Sequence, residues 1–112
     1  MISKALVAAS TKPMILAILA QGENYGYQII QRVKEISGGH MEWSDGMLYP
    51  VLHRMEKEGL IVARWIISDG KKLRKYYQLT DQGVLELERE KHQWFKVHDT
   101  FMKLLQPMTT SE

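Results

Sequence analysis

The stretch Ser44–Leu60, S-D-G-M-L-Y-P-V-L-H-R-M-E-K-E-G-L, decides how the rest of the chain is read. It predicts one short helix over 44–59 with a marked start and stop. Ser44 supplies an oxygen for the unpaired N–H groups of a first turn, and Asp45 suits the positive end of the helix dipole. Gly59 is placed to end the helix in a left-handed turn. Leu48, Val51, Leu52 and Met55 recur at helical spacing as a stripe for burial. Tyr49, His53, Arg54 and Lys57 fall on the other sides. Pro50 removes an N–H and crowds the carbonyl of Gly46, a kink without chemistry. A core-packed helix whose exposed face carries Tyr, His, Arg and Lys is a candidate for insertion into a DNA groove.

Upstream, Met1–Gln21 reads as a first helix with Ile15, Leu16, Ile18 and Leu19 as core positions and Ala5, Leu6 and Ala9 extending the apolar side. Pro13 lies inside the pattern, so the helix either starts afresh at a Thr11 cap or is kinked there. Gln21–Asn24 reads as a turn. Tyr25–Ile36 is a second helix with Tyr27, Ile29, Ile30, Val33 and Ile36 on its apolar face, and Ser37–His40 is another turn. Three helices with short connections, the third bearing the basic face, form a helix-turn-helix unit.

Downstream the period changes. Leu60–Ile67 and Leu73–Leu79 are rich in β-branched and aromatic residues, and the Asp69-Gly70 pair between them is a hairpin signal. A two-stranded hairpin after a helix-turn-helix is a wing, and this one carries Lys71, Lys72, Arg74 and Lys75. Tyr76 and Tyr77 alternate in direction, so one packs inward and the other faces out.

Thr80 or Asp81 caps a last helix. Val84, Leu87, Lys91, Trp94, His98, Phe101 and Leu105 are spaced 3, 4, 3, 4, 3, 4, the rhythm of a coiled-coil seam. About 25 helical residues span roughly 37 Å, too long for an 80-residue core to cover, so this helix is expected to pack on a second copy. The expected organisation is a DNA-binding unit over 1–80, a dimerisation helix over 81–107 and a disordered tail over 108–112. The fold class is mainly α with a small two-stranded β-hairpin.

Composition narrows the function. Residues 1–80 hold 11 Lys/Arg against 7 Asp/Glu, whereas 81–112 hold 4 against 6, so the basic excess sits with the helix-turn-helix and wing. There is no cysteine, which removes disulfide, thiolate-metal and cysteine chemistry and fits a cytoplasmic protein. No apolar run reaches the roughly 18 residues of a membrane span, and the start lacks the marks of a signal peptide. His40, His53, His92 and His98 have no metal-ligand spacing with carboxylates, and no serine or glycine-rich loop suits a nucleophile or a phosphate. No enzyme, metal site or cofactor is expected.

Gly26-Tyr27-Gln28-Ile29, Ser44-Asp45-Gly46-Met47-Leu48-Tyr49-Pro50, Arg54–Ile61 and Arg74–Thr80 resemble, in order and spacing over about residues 14–83, the signature blocks of the PadR-like transcriptional regulators. The single C-terminal helix is similar to that of the short-type members. The resemblance implies a winged helix-turn-helix homodimer that represses transcription, with the last helix crossing into its partner. Some short members are multidrug sensors in which a tryptophan on that helix helps to form a flat apolar pore, and Trp94 falls at the matching place. Two departures stand out. The family's glycine-rich, all-arginine wing is here Asp69-Gly70-Lys71-Lys72-Leu73-Arg74-Lys75, and the residues around Trp94 in the drug sensors are not reproduced.

The expected DNA-facing set is therefore Ser44, Met47, Tyr49, His53, Arg54 and Lys57 in the major groove, and Lys71, Lys72, Arg74, Lys75 and Tyr77 on the wing. Two copies would read a palindromic operator, with specificity drawn from half-site spacing, the wing and DNA shape as much as from the helix. Trp94 has two readings: packing in the dimer seam, or a platform, flanked by Lys91 and His98, for a small planar apolar or cationic ligand that releases DNA. The competing functions are a repressor without a ligand and a dimerisation module without DNA binding.

Overall fold

The computed structural model describes residues 1–68 and 70–106. In chain order these form α1 (Lys4–Leu19), β1 (Asn24–Tyr25), α2 (Gly26–Ile36), α3 (Asp45–Lys57), β2 (Ile61–Ser68), β3 (Lys72–Leu79) and α4 (Asp81–Leu105). The expected tail and the residue Asp69 of the hairpin turn lie outside the described residues. The fold is mainly α, as expected, but the sheet has three strands in the order β1-β3-β2. The added strand pairs Asn24 with Tyr77 and Tyr25 with Tyr76. Two residues are too short to show a period, so the sequence presents Asn24 as the end of a turn and Tyr25 as the start of the second helix, which begins instead at Gly26.

The first helix runs unbroken through Pro13, capped by Ser3, whose Oγ accepts from the N–H of Leu6 at 3.2 Å. Thr11 is not a cap. It is buried with Ser10, and both hydroxyls donate to the carbonyl of Val7, at 2.7 and 3.0 Å. Those bonds satisfy two polar groups that burial would otherwise penalise. Ala5, Leu6 and Ala9 face outward, and Val7 packs inward in their place. On α2, Ile29 and Val33 are buried, but Tyr27 and Ile36 are exposed, so the apolar face is narrower than the sequence suggests. The segment after it contributes two unexpected core groups, Met41 and Trp43.

The third helix follows its expected start and stop. Ser44 Oγ accepts from the N–H of Met47 at 3.2 Å. At the other end the N–H of Leu60 reaches the carbonyl of Met55 and that of Gly59 reaches Glu56, both at 3.0 Å, with Gly59 at φ 77°. This pair of bonds satisfies the last carbonyls and turns the chain into β2. Leu48, Leu52 and Met55 are fully buried and Val51 is half-buried. Each such buried apolar side chain stabilises the fold by about 2 kcal/mol.

A single residue joins the end of α3 to the start of the last helix. Thr80 Oγ1 donates to the carbonyl of Gly59 at 2.6 Å and accepts from the N–H of Gly83 at 3.0 Å, while its own N–H reaches Leu60. The C-terminus of α3 and the N-terminus of α4 are thus tied through one hydroxyl. Lys12 of α1 adds an ion pair to Glu86 (2.8 Å) and a longer one to Glu90 (3.8 Å) of α4. Among the described residues no helix is long and apolar enough to cross a membrane.

Candidate nucleic-acid interface

The outer face of α3 carries Tyr49, His53, Arg54 and Lys57, all exposed. Ser44 is also exposed, with its hydroxyl engaged as the cap. Met47 departs from expectation. It is half-buried against the core, with its sulfur 3.6 Å from the hydroxyl oxygen of Thr11, so it turns away from the face that the other side chains define. Tyr49 lies over Gly26 at the start of α2, where a Cβ would overlap the phenol. Burial, and then the nearby Asp45 carboxylate, push the Tyr49 hydroxyl above its ordinary value, which keeps it a neutral donor.

The wing is built by β2 and β3, paired from Ile61↔Leu79 to Ser68↔Lys72. Gly70 (φ 63°) and Lys71 (φ 116°) both take left-handed backbone at the turn. Lys71 and Lys72 are exposed. Arg74 is half-buried: its guanidinium lies 4.5 Å from the centre of the Tyr25 ring and its Nη1 donates to the Tyr25 hydroxyl at 2.9 Å. Lys75 is half-buried too, with Nζ 3.4 Å from Glu56 and 5.5 Å from the Tyr77 ring centre. The expected four-cation wing is therefore two outward lysines and two cations already engaged with the protein.

Tyr77 is corrected outright. It is only 3% exposed and belongs to the core, where burial raises its hydroxyl to about 12. Register sets the parity: Tyr77 shares a face with Ile61 and Leu79, so Tyr76 is the tyrosine that turns the other way, edge-on to Tyr25 with ring centres 5.1 Å apart. Between α3, the start of α2 and the wing lies an open cleft of about 680 Å³, lined by Tyr25, Gly26, Tyr27, Tyr49, Trp65, Lys72, Arg74, Lys75 and Tyr77. Trp65 is the functional candidate that the sequence reading missed. The signal was present, because Ile61, Ala63, Trp65 and Ile67 alternate onto one face.

The expected ligand residues are brought together only in part. Trp94 and Lys91 line an almost wholly apolar groove of about 200 Å³ between α1 and α4, with Ser10, Pro13, Met14, Ala17, Leu87, Glu90 and Phe95. His98 is not in it and lies instead on a shallow surface with His92, Phe95, Lys96 and Asp99. The groove needs both helices, and α1 no longer accompanies α4 at His98. Of the expected seam, Leu87 packs against the core, whereas Val84, Phe101 and Leu105 are exposed in the single chain. Among the described residues no group of three or more His, Asp or Glu is arranged to hold a metal.

A three-helix unit, a hairpin beside its third helix and a long final helix define a winged helix-turn-helix protein. The model of the transcriptional regulator PadR-like family matches residues 15–89. The chain belongs to the PadR-like family of transcriptional regulators. It is 30% identical to an uncharacterised protein of Lysinibacillus sphaericus over 95% of this chain and all of that one. It is 37% identical to the negative transcriptional regulator PadR of Bacillus subtilis over 78% of this chain, but spans only 46% of that protein. A PadR-like regulator from Bacillus cereus superimposes with a TM-score of 0.81 at 35% identity, covering 92% of this chain and 98% of its own. The Bacillus subtilis PadR structure, which is a complex with operator DNA, gives a TM-score of 0.62 over 75% of this chain and 45% of its own.

Proposed function

We propose that this protein is a cytoplasmic, homodimeric repressor that binds a palindromic DNA operator through α3 and the wing. One observation carries the reading: α3 exposes Tyr49, His53, Arg54 and Lys57, the wing exposes Lys71 and Lys72, and Tyr49 and Lys72 line one open cleft between helix and wing. An amphipathic helix with such a face suits the major groove, and the wing lysines suit phosphates beside the adjacent minor groove. The operator complex of the Bacillus subtilis relative supports the same mode of use. Neutralising Lys71, Lys72, Arg74 and Lys75 tests it. The dimer is expected to persist while DNA affinity falls and its salt dependence flattens. Unchanged DNA binding in that variant contradicts the assignment.

Release by a small planar apolar or cationic ligand is the second part of the proposal. The apolar groove beside Trp94 supports it, because it lies between α1 and α4, and α4 is tied at its start to the end of α3. A ligand that wedges α4 from α1 would shift α3 through the Thr80–Gly59 bond. Planar cationic dyes are expected to quench Trp94 and to lower DNA affinity together. DNA binding indifferent to every such compound leaves Trp94 as packing in a ligand-independent repressor.

A further inference from the structure

We propose, on the basis of the DNA-binding reading above, that the wing grips the minor groove with an apolar contact made by Trp65, Ile67 and Leu73, and not with cations alone. The register places Ile67 opposite Leu73 and Trp65 opposite Lys75, so all four side chains share one face. That face starts in the core with Ile61 and Tyr77. Where the core ends, the apolar pattern does not. Trp65 is 63% exposed, Ile67 71% and Leu73 56%.

Lys75 shows where this face looks. Its Nζ reaches Glu56 on α3, so the wing's apolar side overhangs the reading helix and borders the space that DNA occupies in the proposed complex. Lys71 and Lys72 stand at the turn just beyond Ile67 and Leu73, giving an apolar centre with a cationic end. That arrangement matches DNA better than a protein partner: the lysines suit phosphates, while the aliphatic groups suit deoxyribose walls and partly unstacked base steps. With α3 in the major groove, the wing meets the minor groove. At about 6 Å wide that groove takes side chains and not a two-stranded ribbon, so the contact falls to the tip, Ile67 and Leu73, with Trp65 against the outer sugar wall.

The test uses the full chain, a duplex selected by it from a random pool, and three variants. Ile67→Ser with Leu73→Ser alters exposed positions, and circular dichroism checks that it folds. It is expected to lose about tenfold in affinity, equivalent to burying roughly one aliphatic side chain's worth of surface, with the salt slope unchanged. Lys71→Ala with Lys72→Ala is expected instead to flatten the slope by about 2. Trp65→Ala is expected to weaken binding in the same direction as the serine pair, again with the salt slope unchanged. A minor-groove-occupying drug is expected to weaken wild type at least as much as the serine substitutions do, and to weaken the serine variant less than wild type. Serine-variant binding equal to wild type overturns the proposal and assigns the patch to a protein partner. A loss that the drug does not reproduce overturns the minor-groove placement. Failure of wild type to bind any duplex removes the DNA-binding reading itself and is distinguishable from both.

Discussion

A methyl group on Gly26 would overlap the hydroxyl and Cζ of Tyr49, whereas one on Gly83 would overlap the carbonyl oxygen of Leu60 and come within 2.9 Å of Leu79 Cδ2. The two clashes differ in what can move. Tyr49 is exposed and its ring tip can swing, so Gly26→Ala is expected to cost less than about 1 kcal/mol in a denaturant titration yet to weaken DNA binding by displacing a phenol of the proposed interface. Normal DNA affinity in that variant would remove Tyr49 from the interface. At Gly83 the obstacle is backbone in a buried joint, and Gly83→Ala is expected to destabilise by about 2 kcal/mol. A midpoint equal to wild type contradicts the packing described. Tyr77 belongs to this scale as well. Its hydroxyl is held at about 12 by burial, so the fold keeps this contribution below the unfolded value near 10 and loses it as pH rises between the two.

Among the elements, the joint between α3 and α4 has the most direct bearing on function. Thr80→Ala removes a helix cap, worth about 1 kcal/mol, and also the bond to Gly59; Thr80→Ser restores both. Operator affinity is expected to drop in the first and recover in the second, with helix content preserved. The α1–α4 ion pair gives a pH signature. The hydrogen bond from Lys12, opposed by burial and helped by the charges of Lys12 and Arg89, holds the Glu86 carboxyl below its ordinary range. That contribution is present above about pH 4.3 and is lost as pH falls through the lowered value. The raised Lys12 ammonium mirrors it, its share being present below about pH 10.4 and lost above. In Lys12→Met the acid-side fall in denaturation midpoint is expected to start from a lower plateau and be shallower. What the sequence made legible at this scale was local: the Ser44 cap, a cap at Thr80 or Asp81 that proves to be Thr80, the Gly59 stop and the 25-residue span of α4. Contacts across the chain were not. Met47 turns inward to pack on the core beside Thr11, far away in sequence, and Tyr77 is buried because the register with Ile61 and Leu79 fixes a parity that alternation alone leaves open.

The whole molecule measures 67 × 29 × 21 Å with a radius of gyration of 16.9 Å, larger than the roughly 13 Å of a compact chain of about 100 residues. The excess is α4, whose Phe95, Val97, Phe101, Leu104 and Leu105 are exposed in the single chain. A patch of that kind is expected to be covered by a second copy. Replacing Phe101 and Leu105 with Glu is expected to give a folded monomer in sedimentation experiments that binds DNA far more weakly than the parent, because each half-site is then held alone. A dimer that survives the change places the interface elsewhere. Selection of DNA from a random-sequence pool tests the central claim most directly. An enriched palindrome with half-sites about one helical turn apart is the expected result; a pool with no enriched sequence, from protein shown to be folded and dimeric, would contradict it.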